Sequence, residues 1–545
     1  TSYWGGAWEE GDNDNPMRYS GGLLGGTWLS STVSDLSNGV FDGAWLVQNF
    51  EGLNPANTYW NKYYHLFANV DTEPARFLEF ERWWGGFYLM NKEEIEWITQ
   101  NLFVGNKLWS GGIKAKSGRF LDLREIRSPI VLFASMGDNI TPPEQAFNWV
   151  ADVYGSTEEI KARGQVIVGL LHQDVGHLGI FVSGEVARKE HSQIVSVLKS
   201  VEALPPGLYG MKIMTIESKD GEPSYEVEFV ERRLEEVIPQ LNKYKRKDEK
   251  PFEAVAAVSE FNQRAYEMFA QPLVQAMSNE MTAKLARDFH PLRAQRWAVS
   301  DLNPWLGWLA PLADMVRTQR KPLTAGHPLR KLEAMGSEFI NASLDYYRDV
   351  SNAMSEASFF ELYGNMFALT MADKEAKLLA EPAVEPRQLP VVQEALAKLA
   401  NGGFAEAATR IGFLLQRNGE PMPLSRLEMR AELAQDYRDL LPEEAPDVLR
   451  RIRGQQEIIV RFEPEKALAT LPTLLADPQD RQRMKKLLDA VLGDSRVQKI
   501  EPTAEQLLAL DHIRSVLGFA QKGLPETTKS ATKPATKAKP AVKSA

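Results

Sequence analysis

The run PIVLFASMG at residues 129–137 and a second, QVIVGLL, at 165–171 are short, apolar and bounded by turn residues, so both are predicted to be strands. Between them, Glu144 to Tyr154 carries apolar residues at helical spacing. Strand, loop, helix, strand predicts a β-α-β unit within a parallel sheet. In such sheets functional groups gather in the loops that leave the carboxyl ends of the strands. Asp138 and His177 both stand in loops of that kind. A further helix is predicted from about Val186 to Ala203, and LPPG at 204–207 ends the region.

Past that break, LYGMKIMTIES and SYEVEFVERR alternate apolar and polar positions on either side of KDGEP, which predicts a hairpin turning at Asp220-Gly221. From about residue 250 the period lengthens to that of a helix. Val255, Val258, Phe261, Ala265, Met268 and Phe269 recur three and four apart, as do Leu332, Met335, Phe339 and Ile340. The proline-rich KPLTAGHPLR, 321–330, joins two such helices. A second break, AEPAVEPRQLP at 380–390, precedes another helical block that runs to near Gly518. The last stretch, TTKSATKPATKAKPAVKSA, has almost no apolar bulk and is expected to be disordered. The expected organisation is an α/β region over 1–205, an accessory hairpin over 206–245, helical domains over 246–380 and 388–520, and a Lys/Ala/Pro tail over 521–545.

Composition narrows the function. The chain has 545 residues, 43% hydrophobic and 25% charged, with a net charge of -10. That describes a globular multidomain protein without the positive field that nucleic acid or an anionic membrane would require. No window approaches the roughly 18 unbroken apolar residues of a transmembrane helix, and the first residues lack the order of a signal peptide, so a cytoplasmic location is expected. There is no cysteine. Disulfides, cysteine metal sites and a cysteine nucleophile are therefore excluded within these residues. The chain enters an aromatic stretch at Tyr3 and Trp4 with no lead-in, which suggests a fragment. Residues 1–115 hold nine of the 13 tryptophans.

Asp138 can accept the imidazole N–H of His177, fix its tautomer and stabilise the imidazolium formed when His177 takes a proton from a nucleophile. Gly176 is expected to let the backbone turn tightly before the histidine. The plainer role for Asp138 is to cap the helix after ITPPEQ. His172, Asp174 and His177 form the cluster HQDVGH, but two imidazoles in one polar loop are a weak metal signal without further ligands, so no metal and no cofactor is expected. A nucleophile is not evident: no Gly-x-Ser-x-Gly occurs, and Ser135 stands directly before the acid. In an α/β-hydrolase the order is nucleophile, acid, histidine. By that order the nucleophile belongs upstream of Thr1.

The run NLFVGNKLWSGGIKAKSGRFLDLREIRSPIVLFASMGDNITPP, 101–143, resembles the polyhydroxyalkanoate synthases in its Asn106-Lys107-Leu108 element, a Gly-x-x-x-Asp-Leu stretch, Ile-x-x-Pro and Asp-x-Ile-x-Pro. The stretches NPMRYSGGLLGG, FEGLNPANT and RFLEFERWWGG are more closely similar to a bacterial family of unknown function related to those synthases, through about residue 370. The later helical block weakly resembles a tellurite-resistance-type domain. These resemblances imply the C-terminal half of an α/β-hydrolase fold, with an aromatic-rich cap at about 20–115, followed by a hairpin and largely α-helical domains. They imply Asp138 and His177 as the acid and base of a triad and an acyl-CoA thioester or hydroxyacyl ester as substrate. The nucleophile would sit in a Gly-Asn-Cys-Gln-like elbow before Thr1. An aromatic cap suits an acyl chain, and Arg82, Trp83 and Trp84 are candidate lining residues, with ordinary cap–core packing the plainer role for the tryptophans. The contrasting expectation is an inactive scaffold, whose helical regions bind a polymer granule or a partner protein. Its lysine-rich tail is either a solvated linker or a weak contact to nucleic acid.

Overall fold

The computed structural model describes residues 17–104, 107–108, 111–138, 140–141, 143–216, 224–241, 250–321, 323–324, 326–365, 385–416, 422–500 and 502–519. Tyr3, Trp4, Trp8, Asn106, Trp109, the expected Asp220-Gly221 turn and the Lys/Ala/Pro tail lie outside them.

The molecule is a mixed α/β structure. Two short strands, β1 (Val40–Asp42) and β2 (Leu89–Asn91), pair antiparallel within the N-terminal helical layer. The main sheet is formed by β3 (Ile130–Ser135), β4 (Val166–His172), β5 (Gly207–Ile216), β6 (Ser224–Arg232) and the two-residue β7 (Met422–Pro423), in that spatial order. β3, β4 and β5 are parallel, whereas β6 and β7 each join antiparallel. The expected hairpin is thus present, and its first strand lies beside β4 and continues the sheet.

β4 explains why the sheet sits at the centre. Val166, Ile167 and Val168 are all fully buried, which requires cover on both faces. Val166, Val168 and Leu170 point to one side with Tyr209, Met211, Val227 and Phe229. That face is closed by the helix Ser192–Ala203 and, from the far end of the chain, the helix Leu424–Asp436. Ile167, Leu132 and Leu208 point to the other side, onto the helix Pro143–Tyr154 and Ile160 of the helix Thr157–Ala162. Gly169 lies under Phe147, whose ring would meet an added Cβ at 2.8 Å.

The aromatic N-terminal layer is joined to the middle helices by buried polar groups. Asp35 accepts from Tyr266, Gln271 and Gln275 and pairs with Lys92, and Asp42 pairs with Arg293. Tyr19, Phe252 and Phe359 close an aromatic core between them. No helix among the described residues is long and apolar enough to cross a membrane.

Candidate active site

Register places the two expected loops side by side. Ser135 at the end of β3 is aligned with His172 at the end of β4, and the Met136 amide donates to the His172 carbonyl at 2.9 Å. Gly137 then passes so close to the other loop that an added Cβ would lie 2.5 Å from the Asp174 carbonyl. The glycine that the site requires is therefore Gly137. Gly176, expected to provide a tight turn, has neither a left-handed φ nor a close neighbour.

Asp138 is 2% exposed and divides its oxygens between two tasks. Oδ1 accepts the backbone amides of Ile140 and Thr141, each at 2.9 Å, and so ties the loop that leads into the helix at Pro143. Oδ2 lies 2.9 Å from His177 Nδ1 and 2.7 Å from the Thr141 hydroxyl. Asp138 thus ties the loop and contacts the histidine at once; the bonds to Ile140 and Thr141 fall on loop amides ahead of the helix at Pro143 and are not the helix cap that was the plainer expectation. Burial pushes its carboxyl pKa up, but the bonds from His177 and Thr141 outweigh it and hold the group below the ordinary value of 3.8. A carboxylate at Nδ1 favours the Nδ1–H tautomer, which leaves the Nε2 lone pair available as a base. No hydrogen bond to Nε2 is formed among the described residues.

Thr141 and Phe50 are the participants that sequence reasoning missed. The Thr141 hydroxyl donates to Asp138 and stands 3.0 Å from His177 Nδ1, closing a three-membered polar ring. Its position three residues after the aspartate was the available signal, because Asp and Thr at that spacing often close a loop. Phe50, from the helix Ala44–Gly52, stacks over the imidazole at 6.5 Å with the planes 19° apart, while Phe181 meets it edge-on at 6.2 Å. No local pattern could have linked a phenylalanine so distant in sequence to this histidine.

Trp84 packs against Phe50, with ring centroids 6.4 Å apart, stacks on Phe80, and donates its indole N–H to Glu51 at 3.0 Å. Trp83 flanks Phe80 and Trp84 but is exposed, as is Arg82. The aromatic layer therefore reaches the histidine through Phe50, with Trp84 behind it. His172 serves the loop: its Nδ1 accepts the amides of Asp174 and Val175 at 3.3 and 3.2 Å, and Nε2 faces Glu190 at 3.7 Å. Among the described residues no three His, Asp or Glu side chains gather as a metal site. Ser135 is buried, and its hydroxyl oxygen accepts the Gly137 amide at 3.2 Å.

A parallel-strand rim carrying a carboxylate–imidazole pair beneath an aromatic layer defines the class: a mixed α/β protein with an Asp–His pair at the carboxyl ends of two parallel strands. The chain belongs to the family described as "Protein of unknown function (DUF3141)", whose pattern matches residues 1–401. It is 39% identical over 491 residues to a Rhizobium meliloti protein described as "Uncharacterized protein in ackA 5'region", covering 87% of this chain and 66% of that one. The chain thus spans just under two thirds of its curated relative. No solved structure matches it.

Proposed function

We propose that Asp138 and His177 are the acid and base of an acyl-transfer or hydrolysis site of α/β-hydrolase type, in a protein related to the polyhydroxyalkanoate synthases. The observation that carries this reading is the 2.9 Å Asp138–His177 contact at the carboxyl ends of adjacent parallel strands, with Nε2 left unbonded. Nε2 would take the proton of a nucleophile as that nucleophile attacks the carbonyl of an acyl thioester or ester, and return it to the departing thiol or alcohol. Water or a hydroxyacyl group would then accept the acyl chain. This reading requires a nucleophile, which no described side chain bonded to Nε2 supplies and which the order nucleophile, acid, histidine would place before Asp138. The open edge of β3, which pairs only with β4 among the described residues, supports further strands on that side. Phe50 and Trp84 supply an apolar wall suited to an acyl chain, with Arg82 and Trp83 at its exposed margin.

The test uses the protein expressed from its full coding sequence, treated with an active-site-directed ester that leaves its acyl group on the nucleophile. His177→Ala and Asp138→Asn are expected to abolish labelling while circular dichroism is unchanged, and His172→Ala is expected to retain most of it. Equal labelling of wild type and His177→Ala would remove this reading.

A second reading, a scaffold for a partner protein or polymer granule, has its own observation. Along the middle helices Trp305 is 81% and Phe339 73% exposed, and Leu332, Met335 and Tyr346 share the surface of the helix Pro328–Tyr363. Single apolar residues on a surface are ordinary, whereas several on one helix support the reading of an interaction surface. Phe339→Glu with Tyr346→Glu should abolish co-sedimentation with granules or partner and leave ester labelling intact. Unchanged co-sedimentation would discard the scaffold.

A further inference from the structure

Two cavities in the C-terminal helical region share the lining residues Phe413, Gln416, Arg430 and Val491. The inner cavity, of about 420 Å³, lies between β5, β6 and the C-terminal helices and is walled by Phe229, Met429, Leu433, Leu492, Leu507 and Leu510. The outer one, of about 1070 Å³, opens between the helices Phe404–Leu414, Leu424–Asp436 and Pro446–Phe462. Arg430 lines both, and Arg453 lines the outer one. An inner volume of this size is typical of a small-molecule pocket.

The two guanidinium groups are half-buried, yet neither meets a carboxylate. The contact found for Arg430 is to the Met422 thioether at 3.7 Å, a weak acceptor, and Arg453 forms no hydrogen bond or ion pair among the described residues. Burial and the neighbouring arginines depress the pKa of both, Arg426 acting on Arg430, and Arg430 and Arg450 acting on Arg453. Arg410, in the same helical region, shows how this chain normally buries the group. It is fully buried and donates to Gln456, Thr470 and the carbonyls of Leu399 and Ala467. The acids near the cavities are otherwise placed: Glu231 and Glu457 are held by Lys161, Asp436 by Arg496, and Asp439, Glu443 and Glu444 are exposed at the outer mouth.

We propose that this pair of cavities binds an unbranched monocarboxylic acid, its carboxylate between Arg430 and Arg453 and its chain in the apolar inner cavity. Two guanidinium groups lining one cavity suit a carboxylate, and Arg430 also lines the largely apolar inner cavity, which a chain attached to that carboxylate would enter. The exposed acids at the mouth oppose a multiply charged anion, which selects a carboxylate over a phosphate. This site shares no residue with Asp138 and His177 and stands whether or not they catalyse acyl transfer.

Isothermal titration of the chain with decanoate, 1-decanol and inorganic phosphate tests it. Decanoate is expected to bind once per chain, decanol at least tenfold more weakly, and phosphate not at all. From hexanoate to decanoate the affinity should rise by up to about fourfold per methylene. Arg430→Met with Arg453→Met should weaken decanoate at least tenfold with circular dichroism unchanged. If that variant does not fold, the chain-length series and the decanol comparison on the wild type decide alone. No saturable binding of decanoate, affinity independent of chain length, decanol binding as tightly as decanoate, or tight phosphate binding would each overturn the proposal, as would unchanged affinity in the folded variant.

Discussion

The rim of the sheet at β3 and β4 and the helical layer beside β6 treat their charged groups in opposite ways. At the rim, Asp138 has a donor for every demand on its oxygens, and the capacity left over is the lone pair of His177 Nε2. In the helical layer, Arg430 and Arg453 keep donors with no acidic acceptor beside them. Arg410, a short distance along the chain, spends its donors on four neighbours. Buried polar groups are normally paired, so unspent capacity is the informative quantity. A satisfied carboxylate with a free base beyond it points to chemistry, and unspent guanidinium donors beside an apolar cavity point to binding.

The largest expected effect falls on the rim. In the protein carrying its nucleophile, His177→Ala and Asp138→Asn should each lower the acylation rate by about 10⁴-fold, followed by rapid-quench labelling; a loss below tenfold would place the pair outside the chemistry. Next comes stability in the helical layer. Arg410→Met should cost about 3 kcal/mol in urea denaturation because it breaks four bonds and strands their acceptors, whereas Arg453→Met should cost less than about 1 kcal/mol or stabilise. Equal losses in the two variants would erase the distinction between satisfied and unsatisfied arginines. Thr141→Val should act more gently, slowing acylation about tenfold and costing about 1 kcal/mol, since Asp138 keeps its backbone donors and His177.

A smaller effect concerns pH. The folded carboxyl of Asp138 lies below its ordinary value of 3.8, so it stabilises the fold fully above that value and loses this contribution as pH falls through the lowered one. Wild type should therefore exceed Asp138→Asn in stability at neutral pH, with the gap narrowing only below about pH 4. A gap that closes between pH 7 and 5 would mean that the carboxyl is not held down.

Much of the rim was legible in the sequence because it is local. β-branched runs bounded by turns marked β3 and β4, and the loops after them contain Asp138 and His177. The helix expected from Glu144 to Tyr154 is present as Pro143–Tyr154. What escaped is what depends on distant contacts. The pairing of β5 with β4 rests on Val166 meeting Gly207 across a helical crossover, and β7 is only two residues long. Gly137 is required by the approach of Asp174 from the other loop, while Gly176, which looked the more suitable, has open space around it. Phe50 reaches His177 through tertiary packing alone. Arg430 and Arg453 stand on helices whose periodicity reads as any amphipathic surface, and their lack of partners becomes visible only when those helices assemble.

The most direct measurement of the central claim is nitrogen-15 NMR of histidine-labelled protein, with the His177 signals assigned by comparison with His177→Gln. At a pH where the ring is neutral, the Asp138 contact requires Nδ1 to carry the proton and Nε2 to show the shift of an unprotonated nitrogen, and Asp138→Asn should disturb that pattern. A neutral ring protonated on Nε2, unaffected by Asp138→Asn, would contradict the assignment of His177 as a base oriented by Asp138.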